Sequence, residues 1–165
     1  MAPETYTFRD DGEIPNSTLP ALVYRSVDAV RSASDCEQLF AGHGWQGAWR
    51  NGIYPFHHFH SISHEVLGIV SGSVTVMLGG PAGRSVDLER GDVAVLPAGV
   101  GHCNLGDDEL LVVGAYPNGM RWDLRRGDPD EHDEVVANIA RVPGPETDPV
   151  FGKAGSLIEL WGARG

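Results

Sequence analysis

Residues 52–72 read GIYPFHHFHSISHEVLGIVSG, and within them His57, His58, His60, His64 and Glu65 crowd into nine residues. Imidazole beside carboxylate at that density points to a metal, because both are ready ligands for first-row divalent ions. Gly52 is followed after five residues by His58, after one more by His60, after four by Glu65 and after six by Gly72. Side chains two residues apart on a strand lie on one face, so His58 and His60 are able to grip one ion together. A turn through residues 61–64 then returns the chain, and Glu65 supplies a third ligand from the neighbouring strand. A fourth is expected from elsewhere.

Residues 91–102, GDVAVLPAGVGH, carry a second spaced pattern: Gly91, five residues, Pro97, one residue, Gly99, two residues, His102. In order and spacing the two stretches resemble the two signature motifs of the cupin superfamily, in particular its small single-domain bacterial members, with eighteen residues between Gly72 and Gly91. The resemblance implies an all-β fold, the cupin double-stranded β-helix or jelly-roll barrel, here with short helices at its N- and C-terminal sides. It also implies that His58, His60, Glu65 and His102 bind one divalent metal ion per chain, with Fe, Mn, Ni, Cu or Zn as the candidates. The first motif matches at every position. The second departs where the family usually has Asn four residues after its histidine and this chain has Gly106; Asn104 has the parity to face the cavity and stands as the substitute. His57 has the parity of the opposite face and His64 sits in the turn, where parity decides nothing; either remains an alternative ligand. His43 and His132 read as ordinary core or surface residues.

Working outward, a strand from Ile53 places Tyr54 and Phe56 on the face of His58 and His60, while Leu67 and Ile69 share the parity of Glu65. Together with Asn104 these residues are expected to line an apolar pocket, and Phe59, of opposite parity, to pack under a covering segment. Further strands are predicted at Thr5–Phe8, Leu22–Tyr24, Val74–Leu78, Ser85–Leu88, 91–97 and along the apolar run Leu110–Tyr116. In similar small cupins an N-terminal arm often crosses to a second subunit, which implies a homodimer. Ser34 with Glu37 forms a capping-box pattern that opens a helix ending at Gly42, with Leu39 and Phe40 packed on the barrel. Trp45 and Trp49 read as core aromatics and Asp92 as a turn residue. Cys103 follows His102 directly and so faces away from the ion. Arg121, Trp122, Asp123, Arg125 and Arg126 either overhang the cavity mouth to bind an acidic substrate or form solvated ion pairs; the second reading is favoured, since surface charges usually contribute little. A helix over Asp133–Ala140 sets Val135, Val136 and Ile139 on one side, and Leu157–Trp161 is apolar enough to dock.

At 165 residues the size prior gives one domain, 1–165, with the barrel core at 50–117, an N-terminal arm at 1–33 and a C-terminal extension at 118–165. The charge, 12 − 23 = −11, repels a phosphate backbone or an anionic membrane, so neither nucleic acid nor membrane is an expected partner. Two cysteines make no disulfide framework, and no apolar run has the length of a signal or spanning segment; a cytoplasmic location is expected. Three neutral imidazoles and one carboxylate leave a six-coordinate ion two open positions, the mark of a catalytic site. The expected function is a metal-dependent enzyme acting on a small organic substrate, with Glu65 as a possible base. The resemblance puts oxygenase chemistry first and isomerase or epimerase chemistry second. A small-ligand or metal-binding module without turnover is the alternative from another class.

Overall fold

Alternating apolar patterns broken by glycine become seven strands among residues 1–162, the residues that the computed structural model describes. They are β1 (Glu4–Tyr6), β2 (Ala21–Tyr24), β3 (Trp45–Asn51), β4 (Glu65–Leu78), β5 (Arg84–Glu89), β6 (Val93–Leu96) and β7 (His102–Pro117). The sheet runs β1-β2-β6-β4-β7-β3, with β5 also on β4, and every pairing is antiparallel. This is the cupin-type β-barrel architecture expected above. Three helices, α1 (Ala33–Gly42), α2 (His132–Arg141) and α3 (Ser156–Gly162), lie at its N- and C-terminal sides. The last three residues of the C-terminal extension lie outside the described range. Among the described residues no helix is long and apolar enough to cross a membrane.

The strand that organises the site is β4. Its first residues pair with β6 on one side and its last six with β5, while β7 follows it throughout. Val74–Leu78 is therefore the second half of one strand, not a separate one. Fourteen residues of straight strand would span roughly 45 Å. Yet Glu65, the first residue, touches His102, which pairs with Leu78, the last residue. The β4/β7 ribbon therefore curls until its two ends meet. Register shifts at Ile69/Ser71, Ser71/Ser73 and Thr75/Val76 do the bending, as bulges do elsewhere. Gly72 sits at the bend with φ +69°, where a Cβ would lie 2.1 Å from the Asp108 carbonyl oxygen.

The bulges also switch the side-chain parity of β4. Leu67 and Ile69 face the inner apolar cluster before them, and Val74, Val76 and Leu78 face it after them. On β6 the alternation is simple: Ala94 and Leu96 point in, while Val93 and Val95 join Cys36 and Phe40 of α1 and Leu157 and Trp161 of α3 in an outer cluster. Both faces are covered, which is why β6 reads as a continuous apolar run rather than an alternating one. The close seat of α1 needs Gly68, since a Cβ there would stand 2.5 Å from the Cys36 sulfur.

Several local expectations are corrected. The α1 cap is Ser32, not Ser34: Ser32 has the extended backbone that an N-cap requires, and its Oγ accepts the Asp35 N–H at 3.2 Å. Val136 is 41% exposed, because a step of about 100° per residue turns it away from Val135, which packs on Ile14 and Phe59. Asp92 is a clamp as well as a turn residue. Its buried carboxylate accepts the N–H groups of Ser26 (3.1 Å) and Glu89 (2.9 Å) and pairs with Arg25 (2.9 Å). The β1 arm pairs with β2 of its own chain. The C-terminal segment docks as expected, around the fully buried Asp148, whose carboxylate accepts the Tyr24 hydroxyl and the backbone N–H groups of Val150 (2.8 Å), Phe151 (3.1 Å) and Leu157 (3.3 Å).

Candidate metal centre

His58 and His60 do not lie on a named strand. Residues 52–64, interrupted by Pro55 with its missing donor, form only two isolated bridges, His58 with His102 and Phe59 with Arg125. Those bridges suffice to set the faces. His58 and His102 exchange backbone hydrogen bonds at 3.1 and 2.9 Å, and Phe59 and Arg125 at 2.9 and 3.0 Å. His58 and His60 thus turn inward together, and Phe59 packs outward against Ile14 and Val135.

Each imidazole is anchored through Nδ1 to a backbone carbonyl: His58 to Phe56 at 2.9 Å, His60 to Asp123, and His102 to Val100 at 3.2 Å. A carbonyl oxygen only accepts, so each Nδ1 must carry the proton. The other ring nitrogen, Nε2, is left with a lone pair in the neutral ring. One ring nitrogen from each of these three buried histidines lies within 4.8 Å of the others. Glu65 joins them, its Oε2 3.2 Å from His60 Nε2 and its Oε1 3.3 Å from His102 Nε2. Three lone pairs and a buried carboxylate converging in one place fit a divalent cation, and the carbonyl anchors match the way ligating histidines are oriented.

The electrostatics agree. Burial, aided by the neighbouring His102, lowers the His58 pKa to about 3, so this ring stays neutral and able to coordinate. Burial alone would also lower His60, but the charge of Glu65 and their hydrogen bond outweigh it and raise His60 above the ordinary value. Burial would likewise raise Glu65; the charge of His60 and the hydrogen bonds to His102 and His60 prevail and hold it low. The carboxylate is therefore ionised, and a proton on His60 is the species with which a cation competes.

Beside the cluster opens a cavity of about 350 Å3, lined by Trp49, Ile53, Tyr54, Leu67, Tyr116 and Trp122 together with the histidines. Of the residues expected there, Tyr54 and Leu67 line it. Phe56 does not: it stacks on Tyr54 at 5.0 Å, and the Arg126 guanidinium lies over its ring, 3.9 Å from the centroid. Ile69 has the right parity but lies deeper along β4, in the inner apolar cluster. Asn104 is turned to the chain itself, donating to the Ile53 carbonyl at 3.3 Å and to Asp107 at 2.6 Å.

Among the lining residues that escaped the sequence reading, two bear on Glu65. Trp49, read there as a core aromatic, faces the cavity, and its indole N–H donates to the Tyr116 hydroxyl at 2.7 Å; Tyr116 in turn donates to Glu65 Oε2 at 2.8 Å. Tyr116 shares the parity of Val112 and Gly114 along the closing strand, and a lone phenol on that face was the available signal. Gly114 makes the arrangement possible, since a Cβ there would lie 2.2 Å from the Trp49 ring.

The segment 121–126 divides its tasks. Trp122 lines the cavity and stacks on Tyr116 at 5.7 Å and 17°. Asp123 holds His60 through its carbonyl and Ser61 through its carboxylate. Arg125 is committed to Asp123 (2.8 Å), Glu131 and Glu134 (3.2 Å), the ion-pair reading. His64 is structural: its Nδ1 accepts the Ala98 N–H at 2.9 Å and its Nε2 meets the Pro143 carbonyl at 3.2 Å. His57 is not in the cluster, and its Nδ1 is buried without a hydrogen-bond partner among the described residues. Cys103 is a buried free thiol on β7, as is Cys36 on α1.

Barrel and donor set together define a metal-binding β-barrel protein. The chain belongs to the cupin superfamily: the family model described as Cupin matches residues 49–118. Over 160 residues it is 38% identical to the uncharacterized protein YjlB of Bacillus subtilis (strain 168), covering 96% of each chain. Solved structures similar to it include an acireductone dioxygenase from Bacillus anthracis with a cadmium ion in its active centre, at 22% identity over 55% of this chain and 61% of that one, TM-score 0.39. A mutant of Bacillus subtilis oxalate decarboxylase aligns at 18% identity over 69% of this chain and 29% of that one, TM-score 0.40. The chain thus spans less than two thirds of either enzyme.

Proposed function

We propose that this protein is a metal-dependent enzyme acting on a small organic substrate at one divalent ion held by His58, His60, Glu65 and His102, with oxygenase chemistry foremost. The observation that carries the reading is the convergence of three carbonyl-anchored imidazoles and one ionised carboxylate beside an open cavity. A site meant only to stabilise the fold needs no such access. A bound Fe, Mn, Ni, Cu or Zn ion supplies Lewis acidity or, for the redox-active metals, a centre for oxygen chemistry. The protein's own part is to orient and to exclude water. Leu67, Trp122 and Tyr54 wall the cavity with apolar surface, and the Tyr116 hydroxyl fixes Glu65.

Isomerase or epimerase chemistry is the second reading, favoured by Glu65 itself: a carboxylate at the edge of the cavity is able to take and return a substrate proton. The test is an oxygen-electrode screen of protein reconstituted separately with each metal, against a library of small organic acids, phenols and keto compounds. Oxygen uptake exceeding one equivalent per site with any member supports the oxygenase. Product without oxygen uptake moves the isomerase ahead, and tight ligand binding without turnover moves the binding module ahead. We also propose a single domain over the chain, a cytoplasmic location and a homodimer, the last because β1 and β3 each leave one edge unpaired among the described strands. Light scattering at the 17.7 kDa mass of one chain at micromolar concentration would reject the dimer.

A further inference from the structure

Two parallel-stacked aromatic pairs frame the imidazoles. Tyr54 and Phe56 stack at 5.0 Å and 15°, and Tyr54 stands edge-on to His58 at 5.3 Å. Tyr116 and Trp122 stack at 5.7 Å and 17°, and Trp122 stands edge-on to His60 at 5.3 Å. In each pair one cavity-lining ring is unusually open for its size: Tyr54 is 48% and Trp122 45% exposed, whereas Tyr116, which also lines the cavity, is buried. Large aromatic surface left uncovered beside a concave site marks a place where a ligand completes the packing.

Most polar groups of the same wall are already engaged among the described residues, though not the Tyr54 hydroxyl or the Asn51 side-chain NH2 group. The Tyr116 hydroxyl donates to Glu65 and accepts from Trp49, which occupies the Trp49 N–H as well. Arg50 is held in a two-pronged pair with Glu37 at 2.7 and 2.9 Å, and the Asn51 side-chain oxygen accepts the Gly52 N–H at 2.8 Å. A hydroxyl-rich, puckered molecule such as a sugar would lose its water hydrogen bonds there and find few in return, a cost that discriminates strongly. A flat ring loses little and gains stacking.

We propose that the cavity selects a planar aromatic or conjugated small molecule, stacked against Trp122 with its reactive edge toward His58 and His60, and disfavours polyols and saturated rings. This inference rests on the reading of the cavity as a substrate site but needs neither a particular metal nor turnover. Trp122 is the specificity-determining residue.

The experiment compares phenol with cyclohexanol, which share size and a single hydroxyl and differ in flatness, by ligand-observed NMR on the metal-loaded full chain and again after chelation. Phenol is expected to bind at least tenfold more tightly than cyclohexanol in both preparations. That preference is expected to collapse in Trp122→Ala, persist in Trp122→Phe, and leave metal content unchanged in both variants. Equal binding of the two probes, absence of phenol binding up to its solubility, or an undiminished preference in Trp122→Ala overturns the proposal. Should Trp122→Ala fail to fold, the wild-type comparison still decides. A protein that selects phenol and shows no turnover retains this inference while losing the enzymatic reading, so the two fail separately.

Discussion

The Tyr116 hydroxyl donates to Glu65 Oε2 at 2.8 Å while accepting the Trp49 indole N–H at 2.7 Å. Both of its hydrogen-bonding roles are used inside the protein, so Tyr116 holds the carboxylate rather than meeting a substrate. Tyr116→Phe is therefore expected to weaken divalent-metal affinity by about 10-fold or more, the usual effect of removing a group that orients a ligand. It should also cost about 1–2 kcal/mol of stability, because the Trp49 N–H loses its acceptor. Chelator competition and thermal melts read the two effects separately; an affinity within twofold of wild type would remove the positioning role.

One divalent ion per chain is expected by elemental analysis of untagged protein, and none in the His60→Ala/His102→Ala double variant. Chelation should lower the melting temperature, since the ion binds the folded barrel and not the unfolded chain. Protons compete for the same nitrogens. Because His60 is raised above 6.5, release should begin at a higher pH than for an unperturbed imidazole and be complete in acid. Full metal content in the double variant would sink the ligand assignment.

At the β1 edge, the hydrogen bond from Arg25, then that from Tyr6, lower the Glu4 pKa from 4.5 to about 2. A depressed carboxylate contributes stability that is present above its ordinary value and lost as pH falls through the folded one. Glu4 is part-exposed, so the effect is small, about 0.2–1 kcal/mol. Glu4→Gln should melt slightly below wild type at pH 6, and the gap should close between pH 4.5 and 2. A gap that persists at pH 2 would contradict the assignment.

Burial pushes the Cys36 thiol up to about 12 and raises Cys103 as well. Since the thiolate is the reactive form, neither cysteine should react with an aromatic disulfide reagent in the folded protein at pH 8, and both should react at once in denaturant. Cys103→Ser should leave metal binding intact. Rapid labelling of either thiol in the native protein would refute the burial of that side chain.

Gly114→Ala should cost about 1–3 kcal/mol by overpacking, since its Cβ meets the Trp49 ring at 2.2 Å. Trp49 must then move and leave the Tyr116 hydroxyl without its donor. The same variant is thus expected to shift the intrinsic fluorescence and to weaken metal binding in the direction of Tyr116→Phe. Unchanged fluorescence and affinity would show that Trp49 does not depend on that missing side chain.

His58, His60 and Glu65 could be proposed from short-range rules, since a two-residue step places His58 beside His60 and a turn returns the chain to Glu65, whereas His102 rested on the resemblance to the second cupin motif. The same rules failed where the backbone left regular geometry. Tyr54, Phe56 and His58 share parity only on an unbroken strand, and Pro55 interrupts it. Val74–Leu78 looked like a separate strand because the bulges around Gly72 reverse parity within β4. Tyr116 and Trp49 were hidden for a different reason. Their roles depend on β3, β4 and β7 lying side by side, and no local pattern announces which strands become neighbours. Ser32 and Ser34 differ only in backbone conformation, which the capping pattern does not encode.

The anchor of His60 is the peptide carbonyl of Asp123, not its side chain. Replacing residue 123 leaves that acceptor in the chain, so such a change acts on His60 only indirectly. What such changes would disturb is where the carbonyl sits, through the grip of the Asp123 carboxylate on Ser61 and Arg125 and of Arg125 on Glu131 and Glu134. Glu131, just before α2, and Glu134 in its first turn are in this way linked through Arg125 and Asp123 to the anchor of His60. Charge changes at Glu131 or Glu134 would therefore act on the position of the Asp123 carbonyl and, through His60, on the affinity of the proposed metal site.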